Sequence, residues 1–148
     1  MAHRTRMLLA VVSAVAVVIV FPANGVADGI TSAQEVSLEL VGEFGGRVGA
    51  VYVPGKYAYV GVGARLVILD VSDPTSPHEV GHTDLLPGIV EDVYVTGGHA
   101  YVAYKSPSGG GLRIFSLADK ANPRGVGLFD LPGFPRTVQV VDDHAYMA

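Results

Sequence analysis

The sequence predicts an all-β fold: β-propeller blades, each a four-stranded antiparallel repeat of about 42 residues, in an incomplete ring preceded by a signal-peptide helix. Three observations predict it. The first is self-similarity. Gly49-Ala-Val-Tyr-Val-Pro-Gly-Lys-Tyr-Ala-Tyr-Val60 recurs as Glu91-Asp-Val-Tyr-Val-Thr-Gly-Gly-His-Ala-Tyr-Val102 and as Arg136-Thr-Val-Gln-Val-Val-Asp-Asp-His-Ala-Tyr-Met147, at offsets of 42 and 45 residues. Leu66–Asp73 recurs as Leu112–Asp119 at an offset of 46, and Pro77 recurs as Pro123. A fixed period of this size marks a repeat architecture. The second is punctuation: short apolar alternations are separated by Pro54-Gly55, Gly63-Ala64 and Asp73-Pro-Thr-Ser-Pro77, all turn-forming residues. The third is negative. Beyond the leader, no stretch keeps a 3.6-residue period free of Gly or Pro for more than about two turns.

The leader spans residues 1–27. His3, Arg4 and Arg6 precede the uncharged run Met7–Phe21, and Asn24-Gly25-Val26-Ala27 closes it with small residues. This is the layout of a secretory signal peptide, with cleavage expected after Ala27. The 15-residue run is shorter than the roughly 20 residues that span a bilayer as a helix. The membrane is therefore expected as a partner only if the segment stays uncleaved, and the product is expected outside the cytoplasm.

Residues 28–35 read as a linker, and 36–148 as a partial propeller. Within it, 36–46 is an outer strand because Val41-Gly42 and Gly45-Gly46 match Val80-Gly81 and Pro87-Gly88. Residues 47–88 form one blade with four strand-like runs: Gly49–Val53, Tyr57–Val62, Leu66–Val71 and Glu79–Asp84. Residues 89–133 form the next, lengthened by the loop Ser106–Gly111, and 134–148 begin a third. Four short strands per period is the size of a propeller blade, and a ring needs at least about four blades. Two and a fraction leave open edges, so the chain is expected to be the N-terminal fragment of a longer protein, the alternative being a short protein that oligomerises to cover them. Tyr59, Tyr101 and Tyr146 recur at one position and are expected to pack between blades.

Composition narrows the function classes. The chain is 49% hydrophobic with a mean hydropathy of +0.39, so it folds around a core. The absence of Cys excludes disulfide frameworks, thiolate metal sites and cysteine nucleophiles. A pI near 5.6 argues against nucleic acid as a partner. Removing residues 1–27 leaves 8 basic and 14 acidic residues, a net charge of −6 that does not suit anionic lipid.

The run Arg65-Leu-Val-Ile-Leu-Asp-Val-Ser-Asp-Pro-Thr-Ser-Pro-His-Glu-Val-Gly81 resembles the LVIVD repeat, whose core here reads Leu66-Val67-Ile68-Leu69-Asp70. The second copy departs from it, with Phe115 and Ser116 at the last two core positions. The resemblance covers about Val36 to the end. It implies an exported or surface-associated bacterial or archaeal protein with a propeller fold, of a kind in which most members have no assigned activity, and it brings no catalytic residues.

Motifs for chemistry are few. His78-Glu-Val-Gly-His82 matches the zincin pattern H-E-x-x-H, but follows Pro77, contains Gly81 and aligns with a strand of the repeat. On a strand, residues four apart lie roughly 13 Å apart, too far to share one zinc. Asp70-Val-Ser-Asp73 suggests calcium, yet Ser116 replaces Asp70 in the second copy, and an Asp before a Pro-containing turn ordinarily caps its own backbone. His99 and His144 read as turn residues, and Ser108–Gly111 as a flexible hairpin tip. No catalytic residue, metal site or cofactor is expected. The informative signal is polar variation on a constant scaffold. Ahead of each first strand, equivalent positions read Gly49-Ala50, Glu91-Asp92 and Arg136-Thr137. In a propeller these positions surround the mouth of the central channel, so Glu91, Asp92 and Arg136 are the candidate ligand-binding residues. The expected function is a non-enzymatic scaffold binding a protein or glycan at the cell surface. The alternative is a hydrolase or lactonase-like propeller enzyme whose active residues lie partly in missing blades.

Overall fold

The structure, a computed structural model, describes residues 6–12, 15–19, 37–42 and 48–148. In the N-terminal part, β1 (Arg6–Val12), β2 (Val15–Ile19) and β3 (Ser37–Gly42) are strands, β1 pairing antiparallel with β2 and parallel with β3. Over β1 and β2 the leader is extended rather than helical, as its Val-rich composition favours. The rest of the expected signal-peptide helix, and the linker, lie outside the described residues.

The repeat region is two four-stranded antiparallel sheets and a two-stranded one. The first blade consists of β4 (Val48–Tyr52), β5 (Tyr57–Val62), β6 (Arg65–Asp70) and β7 (His78–His82). The second consists of β8 (Ile89–Thr96), β9 (His99–Ser106), β10 (Gly109–Ser116) and β11 (Arg124–Leu131). A third begins with β12 (Val138–Val141) and β13 (His144–Met147). Within each blade every strand bonds to the next along the chain. Tight turns make this order possible. Gly97 and Gly98, at φ 56° and 74°, have the left-handed conformations that match a two-residue hairpin to the strand twist, and Gly63 does the same before β6 at φ 57°.

One correction concerns the triglycine. The turn between β9 and β10 is Pro107-Ser108 alone, and Gly109–Gly111 belong to β10. A Cβ at Gly111 would lie 2.5 Å from the Tyr104 hydroxyl, so this glycine clears room for a neighbouring ring rather than supplying a loose tip.

A sheet this narrow has no inside, so each blade buries both faces against its neighbours. Strand alternation sorts the side chains. Tyr59, Leu66 and Ile68 of the first blade meet Val90, Val93, Ala100, Val102, Tyr104 and Phe115 of the second. Ala58, Val60, Val67 and Leu69 cluster on the opposite face of the first blade, and Ala103 and Leu112 of the second meet Val138 of the third. Burying each large apolar side chain of this kind contributes about 1.5–3 kcal/mol. The repeated tyrosine follows the pattern. Tyr59 is buried towards the second blade, Tyr101 packs towards the third, and Tyr146 at the third blade's outer face is 60% exposed. Tyr52 and Tyr94, equivalent residues of adjacent inner strands, hold their rings 5.1 Å apart.

Hydrogen bonds fasten β8 and the β7–β8 connection to the first blade. Val90 N–H donates to Gly63 C=O at 2.8 Å, and Leu86 N–H to Ala64 C=O at 2.8 Å. Thr83, fully buried, donates its N–H to Leu66 C=O and accepts the Leu66 N–H on its hydroxyl at 3.1 Å. Thr83→Val keeps the shape but strands the Leu66 N–H away from water. We expect a loss of about 1–3 kcal/mol, read as a lower urea midpoint at unchanged slope.

Candidate functional site

The strand order places the β7–β8 and β11–β12 connections and the β5–β6 and β9–β10 turns at one end of the blades. That end carries the candidate residues, and a β-bulge decides how. In β8, Val90 opposes Tyr104 and Asp92 opposes Ala103, so Glu91 has no partner. Gly49 is the equivalent extra residue in β4, between Val48 and Ala50. These positions lie inside the inner strands, at bulges, rather than ahead of them. A bulge turns its side chain out of the alternation. At Gly49 the space is closed, because a Cβ would run into the Val90 carbonyl. At Glu91 it is open, and this residue lines a cavity.

That cavity has a volume of about 400 Å³ and is bordered by Ile89, Glu91, Lys105, Ser106, Pro107 and Phe134. Its residues come from the second blade, from the connections on either side and, at Ala64, from the β5–β6 turn of the first blade, so no single strand defines it. The Lys105 ammonium lies 5.6 Å from the Phe134 ring centroid, a cation–π contact over the exposed aromatic. The lining is mainly apolar, with one carboxylate and one ammonium at its edge. A site of this kind desolvates an apolar group and orients it with few polar contacts.

Asp92 has a different role. Its Oδ1 accepts the Val93 N–H at 2.9 Å, and its Oδ2 accepts the Val138 N–H at 2.8 Å. The carboxylate thus ties the second blade's inner strand to the third's. Arg136 precedes β12, is exposed, and donates its backbone N–H to Ala148 C=O at 2.7 Å. It is not among the residues bordering the cavity. Of the three candidates, Glu91 alone lines it. Lys105 and Phe134 escaped the sequence reading because they sit at non-equivalent places in different repeats.

A second, smaller cavity of about 220 Å³ lies across the β9–β10 hairpin, bordered by Pro87, Tyr104, Ser106, Ser108, Gly110 and Asp130. The buried Tyr104 hydroxyl donates to Asp130 Oδ1 at 2.7 Å. Burial pushes this phenol up to about 12, and the hydrogen bond to the Asp130 carboxylate adds to the shift.

A polar groove lies along the outer strands, lined by Glu79, His82, Asp84, Asn122 and Arg124. His78–His82 is a strand and not a helix, as its repeat position requires. Val80 is skipped in the pairing with β6, and this bulge brings Glu79 Oε1 within 2.7 Å of His82 Nδ1. The Asp turns cap themselves. Asp73 accepts from the Thr75 hydroxyl and N–H, and Asp119 from the Asn122 side chain and the Ala121 N–H. Both carboxyls are held below the usual range by those bonds, the side-chain donor contributing most. His99, expected in a turn, opens β9 with Nδ1 2.9 Å from Gly97 C=O. Among the described residues, no three His, Asp or Glu side chains gather as a metal-binding set.

The model of the LVIVD repeat family matches residues 45–84 and 87–129, one match for each complete blade. No curated protein matches the chain.

The geometry separates the two acidic neighbours of β8. Asp92→Ala removes the carboxylate from two backbone donors and is expected to cost about 1.5–3 kcal/mol in urea unfolding, whereas Glu91→Gln changes stability by under about 0.5 kcal/mol. Tyr104 binds its proton more tightly folded than unfolded, so its contribution is complete below pH 10 and is lost as pH rises through about 12. Burial raises Tyr59 as well, so Tyr104→Phe should flatten the alkaline fall in stability without abolishing it. Denaturant midpoints measured across that pH range give the comparison.

Proposed function

The chain belongs to the LVIVD repeat family, and on that premise we propose that it is an exported, non-enzymatic interaction module whose loop end binds a segment of a partner protein. Support for export comes from residues 1–27, whose basic start, apolar run and small-residue close have the layout of a cleavable leader. The observation that carries the binding reading is the cavity at the bulge of β8. Ile89, Pro107 and Phe134 offer an apolar seat, while Glu91 and Lys105 stand beside it with opposite charges. Such a seat takes an apolar side chain with polar main chain around it, the chemistry of a peptide rather than of a sugar ring.

The repeat supports the same reading. Blade packing holds the scaffold constant, and the variable residues stand on a bulge and in connections, where substitution costs the core little. Selection of a displayed library of random peptides on the full chain tests the proposal. Enriched peptides are expected to bind Phe134→Ala about tenfold or more weakly at unchanged thermal stability, since Phe134 is 56% exposed. Peptides that bind Phe134→Ala and the parent chain equally would overturn it.

A further inference from the structure

We propose that the smaller cavity is a socket for one basic side chain, Arg or Lys, of the same partner segment that fills the apolar cavity. The inference rests on the binding reading above and adds the chemistry of the partner. At about 220 Å³ the cavity is smaller than the roughly 300–1,000 Å³ typical of small-molecule sites, and its size suits a single side-chain head group. Its border is rich in oxygen: the Asp130 carboxylate, the Ser106 and Ser108 hydroxyls and the Tyr104 phenol.

The carboxylate is set in advance. Tyr104, anchored in the core and donating to Oδ1 at 2.7 Å, fixes Asp130 in one orientation, and the close approach permitted by Gly111 keeps the ring in place. A fixed carboxylate is the preferred partner of a guanidinium or ammonium, whose hydrogen bonds to it are charge-assisted. The cations of the neighbouring strands are engaged elsewhere. Lys105 lies over Phe134 and Arg113 over Phe115, the latter near enough for its charge to act on the Tyr104 phenol, and among the described residues neither forms a salt bridge with Asp130. Among the described residues Asp130 thus makes no salt bridge beside its cavity, on a chain of net charge −4. That balance attracts a basic segment. Ser106 borders both cavities, so neighbouring side chains of one extended peptide reach the two together.

The test uses the full chain and the peptides enriched from the random library. The enriched sequences are expected to pair an Arg or Lys with an apolar residue at a fixed short spacing. A synthetic peptide of that pattern, titrated by fluorescence anisotropy, should bind Asp130→Asn about tenfold more weakly and lose affinity as salt rises. The amide that replaces the carboxylate retains an oxygen for Tyr104, and an unchanged thermal midpoint will show that the blade is intact. Replacing the peptide's basic residue by norleucine should remove the difference between the two proteins. Binding lost on Phe134→Ala but indifferent to Asp130→Asn, or enriched peptides without a basic residue, would overturn the basic socket and leave the interaction reading standing. No peptide sensitive to either substitution, or an immobilised glycan bound through Asp130 in place of peptides, would overturn both.

Discussion

The close stacking of one inner strand on the next is the constraint on which the rest of this structure depends. Val90 presses its carbonyl onto Gly49 and its side chain onto Gly61, so tightly that neither glycine could carry a Cβ without displacement. A four-stranded sheet has too little depth for a core of its own, and contact at this range lets two thin sheets share one. The apolar alternation, the inter-blade tyrosines and the glycines at the seam all serve that contact. Asp92 makes an equivalent tie at the next seam by a different route, with a carboxylate oxygen on the Val138 amide.

Much of the fold was legible because a repeat states its design more than once. The alignment of Gly49–Val60 with Glu91–Val102 located strands, turns and the facing of Tyr59 and Tyr101, and the refusal of a helix at His78–His82 rested on a second alignment, with Arg124–Leu128. The bulges were not legible. A strand with an extra residue reads like any other until its partner's register is known, so Gly49-Ala50 and Glu91-Asp92 looked like residues ahead of a strand. The triglycine misled for a related reason. Glycine suggests a loose turn, and only the position of the Tyr104 ring beneath Gly111 shows that it relieves a steric conflict within β10.

The site was legible in part. Variation at one repeat position singled out Glu91, because a residue freed from packing is free to differ. Asp92 varied for the opposite reason, having taken on a structural bond that its counterpart Ala50 does not make. Lys105 and Phe134 meet across the junction of two repeats, whereas Tyr104 and Asp130 meet across β10 within the second blade. No period in the sequence predicts such a meeting.

The order of the strands also bears on how the chain reaches this shape. Every hydrogen-bonded partner within a blade is the next strand along the chain, joined by a connection of two to seven residues. Closing such hairpins requires little search, and contacts of short sequence separation form early. The seams come later and run in one direction, each completed blade offering its buried face to its successor. A polypeptide delivered from its N-terminal end can therefore fold in step with its arrival, without waiting for distant segments before a sheet is formed.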